Sequence, residues 1–266
     1  MAYRYLPAAT TALALAMLPA NAAPETGFLN RTVTLEGTSY RYVVYVPIDW
    51  TSNRKWPIVL FLHGAGERGD DGLQQSQVGI GGAIRTHSDR FPAIVVMPQC
   101  RKNIWWQAPS MEAQAIAALD AATREFNGDP ERTYLTGLSM GGYGTWDLAG
   151  KMANRFAAIA PICGGIKLPA RLAKDTGVIQ TDSADIYTAA AKKVVSIPIW
   201  VFHGGADPTV PVNESRNMVA ALKALHADVR YTEYDGVGHN SWDKAYSEPD
   251  FPVWLFSQKL KIKATE

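Results

Sequence analysis

Five short, almost unbroken apolar runs constrain this chain most: Pro57 to Leu62, Ala93 to Met97, Thr133 to Leu135, Phe156 to Ala160 and Ile197 to Phe202. Runs of this length without polar alternation belong to strands covered on both faces. Segments with helical spacing separate and follow them: Met111 to Phe126, Gly141 to Met152, Ala184 to Val194, Glu214 to Leu225 and Pro252 to Leu260. Such alternation predicts right-handed crossovers and an α/β fold, a mostly parallel, doubly wound sheet flanked by helices. Val229 to Tyr234 adds a final strand. The early chain differs, because Arg31 to Val46 alternates apolar and polar residues around Gly37-Thr38, which predicts an antiparallel hairpin. Ligands of a doubly wound sheet bind beyond the carboxyl ends of its strands, so chemistry is expected in the residues that follow each run.

Composition narrows the class. A chain of 266 residues, 47% apolar and 19% charged, is an ordinary globular protein, and a net charge of +1 gives no reason to expect a nucleic-acid partner. The stretch Met1 to Ala23 has Arg4, a short apolar core from Thr11 to Leu18, and Ala20-Asn21-Ala22 as a small-x-small site. We read residues 1–22 as a cleavable export signal and 23–266 as a single domain, secreted or periplasmic. The apolar core is shorter than the roughly 20 residues a bilayer requires, so no stable membrane insertion is expected. Cys100 and Cys163 each follow a predicted strand on the same rim, and both a bridge and two buried thiols remain open. Oligomeric state is not legible.

The segment Thr136-Gly137-Leu138-Ser139-Met140-Gly141-Gly142 places G-x-S-x-G between a predicted strand and a predicted helix. A serine at so sharp a turn takes a strained backbone, and glycines beside it let strand and helix pass closely. Its hydroxyl then projects above the sheet at the positive end of the helix. A glycine-rich helix entry that serves packing alone reads the same way, so Ser139 as nucleophile requires a base and an orienting acid further on. His203-Gly204-Gly205-Ala206-Asp207 follows a buried strand and offers Asp207, while Gly236-Val237-Gly238-His239 follows the last strand and offers His239. Serine, acid and histidine in that order on one rim predict Ser139, Asp207 and His239 as a catalytic triad. Asp235 and Asp243 stand too near His239 in sequence to reach it from a separate strand end. Of the other histidines, His203 and His63 are expected to brace structure, and His87 and His226 to be solvated.

An acyl-transfer site also needs rigid donors for the charge on the tetrahedral oxygen. The backbone amides of Met140 and Ala65 are the expected pair, with Gly66 as the alternative to Ala65. The same glycines in His63-Gly64-Ala65-Gly66-Glu67-Arg68-Gly69 also suit a plain turn, in which Glu67 and Arg68 are expected to form a local ion pair.

The segments Leu62 to Gly69, Met97-Pro98-Gln99-Cys100, Gly137 to Gly142, His203-Gly204 with Asp207, and Gly238-His239 with Trp242 resemble the exported esterase and predicted-peptidase group of α/β-hydrolases. The likeness covers nearly the whole chain after the export signal. That group is similar to phospholipase/carboxylesterases, polyhydroxybutyrate-depolymerase-like, feruloyl and acetyl-xylan esterases, and the catalytic domain of prolyl oligopeptidases. The resemblance implies the α/β-hydrolase fold and a serine carboxylesterase acting on small-molecule or polysaccharide-borne esters, with a small serine peptidase as the alternative. A hydrolase fold kept for binding alone would lack a triad member. Trp105, Trp106 and Trp242 stand near the expected site as substrate-binding candidates, though packing accounts for them equally well. No H-E-x-x-H or paired C-x-x-C occurs, and Gly79-Ile80-Gly81-Gly82 follows no predicted strand, so neither a metal nor a cofactor is expected. The irregular stretch Gly164 to Thr181 is expected to form a small flap.

Overall fold

A computed structural model describes residues 25–168 and 185–260. The export-signal residues 1–22, and the expected flap from residue 169 onward, lie outside the described residues. Eight strands form one sheet in the order β1-β2-β4-β3-β5-β6-β7-β8. Their ranges are β1 Gly27–Leu35, β2 Thr38–Val46, β3 Trp56–Leu62, β4 Ile94–Pro98, β5 Gly128–Leu138, β6 Ala158–Ile162, β7 Ile199–Gly204 and β8 Val229–Tyr234. The hairpin β1-β2 is antiparallel, β2 runs antiparallel to β4, and every later pairing is parallel. This is the α/β-hydrolase arrangement expected from the sequence.

The hairpin turn falls one residue earlier than expected. Glu36 and Gly37 both take positive φ, 48° and 77°, the two-residue turn whose twist matches that of the flanking strands. The fifth strand is longer and less regular than Thr133 to Leu135. Trp56 pairs with Gly128 and Ile58 with Thr133, so residues 129–132 loop out opposite Pro57, where neither Pro57 nor Pro130 has an amide to donate.

Side chains alternate along the inner strands and so feed two cores. Ile58, Leu60 and Leu62 face α2 Pro109–Glu125, α3 Met140–Lys151, α4 Ile186–Val194 and α5 Asn213–Ala224. Val59 and Phe61 face α1 Ile80–Thr86, α6 Trp242–Ser247 and α7 Asp250–Ser257. Two of these helices, α1 and α6, were not legible in the sequence. The first contains Gly81-Gly82, a poor helix former, and forms because Ile80 and Ile84 bury while bare Gly81 lets the Ser76 carbonyl lie where a Cβ would meet it at 2.3 Å. Among the described residues, no helix is long and apolar enough to cross a membrane.

Candidate active site

The end of β5 passes into α3 through Ser139, whose φ of 54° and ψ of −118° lie outside the regions favoured by a side-chain-bearing residue. Holding such a backbone costs about 1–3 kcal/mol. The turn is secured by the Ser139 amide donating to the Ile162 carbonyl at 2.9 Å. It is also sterically specified, since a Cβ on Gly141 would sit 1.8 Å from the Leu62 carbonyl oxygen.

The loops after β7 and β8 are laced together. Gly205 donates to the Tyr234 carbonyl and Ala206 to the Val237 carbonyl, each at 2.9 Å. A Cβ on Gly204 would lie 2.2 Å from the Gly238 carbonyl oxygen, so bare backbone is what lets the two loops touch. Their contact brings together residues far apart in the chain. His239 Nδ1 donates to Asp207 Oδ2 at 2.7 Å, and the Ser139 hydroxyl lies 2.9 Å from His239 Nε2. With Nδ1 protonated, Nε2 holds the lone pair and accepts from Ser139. Asp235 and Asp243 are both exposed, and Asp243 is engaged by Asn240.

The Asp207 side chain is fully buried. Burial by itself would raise its carboxyl, but bonds from His203, His239 and the amides of Val210 and Thr209 outweigh that and hold it below the usual carboxylate range. The amides of Thr209 and Val210 donate to Oδ1 at 2.8 and 2.9 Å, the turn an aspartate makes with the backbone just beyond it. His203 contributes more than the bracing expected of it. Its Nε2 faces two acceptors, the Val210 carbonyl at 3.1 Å and Asp207 Oδ2 at 3.3 Å, so this nitrogen carries the proton. Nδ1 then accepts from the Ser215 hydroxyl at 2.7 Å.

Behind the loop after β3, His63 is fully buried and braces backbone. The Cys100 amide donates to Nε2 at 2.9 Å, so Nδ1 bears the proton and donates to the Gly64 carbonyl at 2.6 Å. Burial pushes His63 down from 6.5 to about 4. Because the folded value lies below the unfolded one, the stabilisation is complete above about pH 6.5 and is lost as pH falls toward 4, amounting to about 3 kcal/mol. Urea titrations of wild type and His63→Gln should therefore show a gap in unfolding free energy that narrows between pH 7 and pH 4; a gap independent of pH would mean that His63 takes up its proton as readily in the folded protein as in the unfolded chain.

Ala65 opens a short 3-10 turn, Ala65–Glu67, and Met140 opens α3. The first amide of a helical turn has no partner within it, so each is left to point outward. Gly64 carries the loop against the nucleophile, since a Cβ there would meet Leu138 Cδ1 at 2.9 Å and Ser139 Cβ at 3.7 Å. Ala65, Arg68, Trp105, Ser139, Met140 and Tyr143 line a cavity of about 400 Å³, whose walls do not include Gly66. The expected Glu67–Arg68 pair does not form. Arg68 Nε instead donates to the Ala65 carbonyl at 3.0 Å, and Glu67 Oε2 is buried without a hydrogen bond, its carboxyl raised by burial. A backbone carbonyl three residues back is within reach of the guanidinium, whereas the Glu67 side chain folds back over Gly64.

The three tryptophans have separate fates. Trp105 lines the cavity, edge-on to Tyr143 with ring centroids 6.0 Å apart. Trp106 is not available to a substrate: its indole donates to the His63 carbonyl at 2.9 Å, and its ring packs against the imidazole beneath the loop. Trp242 is half-buried and packs perpendicular to His239, centroids 5.5 Å apart, facing a different groove. Tyr143 and Arg68 were missed as cavity residues. Tyr143 could have been found from its position four residues beyond Ser139 on a helix. Both cysteines are free and buried, and burial pushes each thiol up to about 12. Cys163, Asp207 and His239 have ligand atoms within 4.8 Å of one another, but the acid and imidazole are already bonded to each other.

Residues 87–248 match the model of the dienelactone hydrolase family, a region holding Ser139, Asp207 and His239. The chain belongs to this family. This dienelactone hydrolase family member is also 32% identical over 124 residues to a bifunctional acetylxylan esterase/xylanase of Neocallimastix patriciarum, a match covering 46% of this chain and 17% of that protein. A thermostable esterase of solved structure superposes with a TM-score of 0.73 at 34% identity, over 87% of this chain and 63% of that one. A feruloyl esterase module from Clostridium thermocellum, solved with sinapinate, gives 0.64 at 18% identity over 92% and 93%. An acylaminoacyl peptidase of Pyrococcus horikoshii gives 0.66 at 18% identity, over 91% of this chain and 43% of that one, a likeness of fold.

Proposed function

We propose that this protein is a serine carboxylic-ester hydrolase working through an acyl-serine intermediate on short-chain or carbohydrate-linked esters of acetyl or feruloyl type. The observation that carries the reading is the unbroken line of hydrogen bonds from Ser139 Oγ through His239 to buried Asp207, opening on the cavity. Ser139 Oγ attacks the ester carbonyl as His239 Nε2 takes its proton, and Asp207 stabilises the imidazolium. The tetrahedral oxygen is received by the Ala65 and Met140 amides, each worth about 3–4 kcal/mol of the barrier in comparable sites. The C–O bond to the alcohol breaks, the alcohol takes the proton from His239, and a water activated by the same nitrogen releases the acid and restores Ser139. An esterase relative at 34% identity and an acetylxylan esterase relative at 32% support ester over amide chemistry.

The purified protein should turn over an aryl acetate, acetylated xylo-oligosaccharides and a feruloyl sugar ester well above a proline-containing peptide amide, and a fluorophosphonate probe should label Ser139. Peptide turnover exceeding all of the esters would replace this reading with the peptidase one. We also propose export, supported by Arg4, the apolar core Thr11 to Leu18 and the Ala20-Asn21-Ala22 site. Amino-terminal sequencing of protein recovered outside the cytoplasm should begin near Ala23.

A further inference from the structure

A second groove, of about 490 Å³, runs between α1 and α6 and includes Gln77, Gly82, Thr86, Asn240, Trp242 and Asp243 in its walls. Its volume is that of a ligand cleft, about 300–1,000 Å³. It meets the triad where Trp242 packs perpendicular to His239, ring centroids 5.5 Å apart, beside Asn240, the next residue in the chain after His239. His239 is the group that hands its proton to the departing alcohol, so the alcohol portion of an ester leads toward this side.

The chemistry of the walls is selective. Trp242 offers an aromatic surface, and Gln77, Thr86, Asn240 and Asp243 offer short polar groups around it. Asn240 and Asp243 hold each other in place: the Asn240 amide donates to Asp243 Oδ2 at 2.8 Å, leaving Oδ1 of the same carboxylate for a hydroxyl. Among the described residues, no lysine or arginine lines the groove, whose basic and acidic side chains are one histidine, His87, and one carboxylate, Asp243. Such a surface disfavours an anion and suits a flat, hydroxylated, uncharged ring. Gly82 leaves the α1 wall bare, since a Cβ there would approach only the Gln77 carbonyl, at 3.7 Å.

We infer that this groove binds neutral sugar units adjoining the esterified one, so that the substrate is an acyl group carried on an oligosaccharide or polysaccharide. The inference rests on the ester-hydrolase reading for the catalytic step, but binding of the sugar is independent of it. Unacylated xylotetraose and cellotetraose serve as probes, followed by the Trp242 indole N–H signal in NMR, which is assigned by its absence from Trp242→Phe. One of the two should shift that signal with a Kd on the order of 1 mM, and tetragalacturonate should bind at least about tenfold more weakly. Gly82→Leu, which fills the groove from the wall away from His239, should weaken sugar binding about tenfold or more. The same variant should raise the KM for an acetylated xylotetraose more than that for acetylated xylose. No shift with either neutral sugar, equal binding of the uronate, or binding unaffected by Gly82→Leu would overturn the proposal. Sugar binding without ester turnover would remove the esterase reading and leave the groove; fluorophosphonate labelling and ester turnover without sugar binding would do the reverse.

Discussion

Ser139→Ala should leave a folded protein whose turnover of an aryl acetate falls by a factor on the order of 10⁶. Alanine keeps the backbone of the turn, which is held by the amide bond to Ile162 and by bare Gly137 and Gly141, none of which involves the hydroxyl. The folded state gives up one hydrogen bond, from Ser139 to His239, worth about 1 kcal/mol. Catalysis, by contrast, loses the atom that His239 is placed to activate for attack on the acyl group. What remains is binding and the stabilisation offered by the Ala65 and Met140 amides, about 10³–10⁴ over water in comparable enzymes. Steady-state rates with circular dichroism as a check on folding decide the matter, and a variant retaining a tenth of the wild-type rate would exclude Ser139 as nucleophile.

Asp207→Asn should cost about 10⁴ in kcat with little change in KM, for a reason set by the surroundings of the carboxylate. Oδ1 faces two backbone donors, Thr209 and Val210, so an asparagine must put its carbonyl there and its amide group where Oδ2 now stands. That amide would donate to His239 Nδ1 and drive the imidazole proton to Nε2, where it blocks the proton transfer from Ser139. The amide would also confront the Nε2 proton of His203, adding a second mismatch. A loss below about tenfold would show that the imidazole is oriented by some other group. In the wild type the lowered carboxyl remains ionised as pH falls through the range in which His63 withdraws its stabilisation, so the loss of the His63 contribution precedes neutralisation of Asp207.

Much of this site was legible because its signals are local. Ser139, Asp207 and His239 each stand in a glycine-bearing segment directly after a strand, and both the strand signal and the glycine requirement belong to neighbouring residues. The glycines of the loop after β3 are a local signal of the same kind, and in the fold Ala65 opens the short turn there. Side-chain partners were not. Arg68 was paired with its neighbour Glu67 on charge alone, yet it is satisfied by the carbonyls of Ala65 and Ile104, the second 36 positions away. Helix α1 was invisible because its stability comes from burying Ile80 and Ile84 against the sheet, against the propensity of its two glycines.

What the amino-acid order determined by itself was the alternation of strands and helices, the rim on which chemistry collects, and the identity and order of the three triad residues. Periodicity, chain reversal and steric need for glycine act over a few residues and are written where they act. Tertiary structure alone decided that Gly204 and Gly238 touch, that His203 shares Asp207 with His239, and that the cysteines stay apart. It also decided that adjacent Trp105 and Trp106 diverge, one to the cavity and one beneath His63. Each of these depends on which distant segments meet, and burial, pairing and charge state are properties of that meeting.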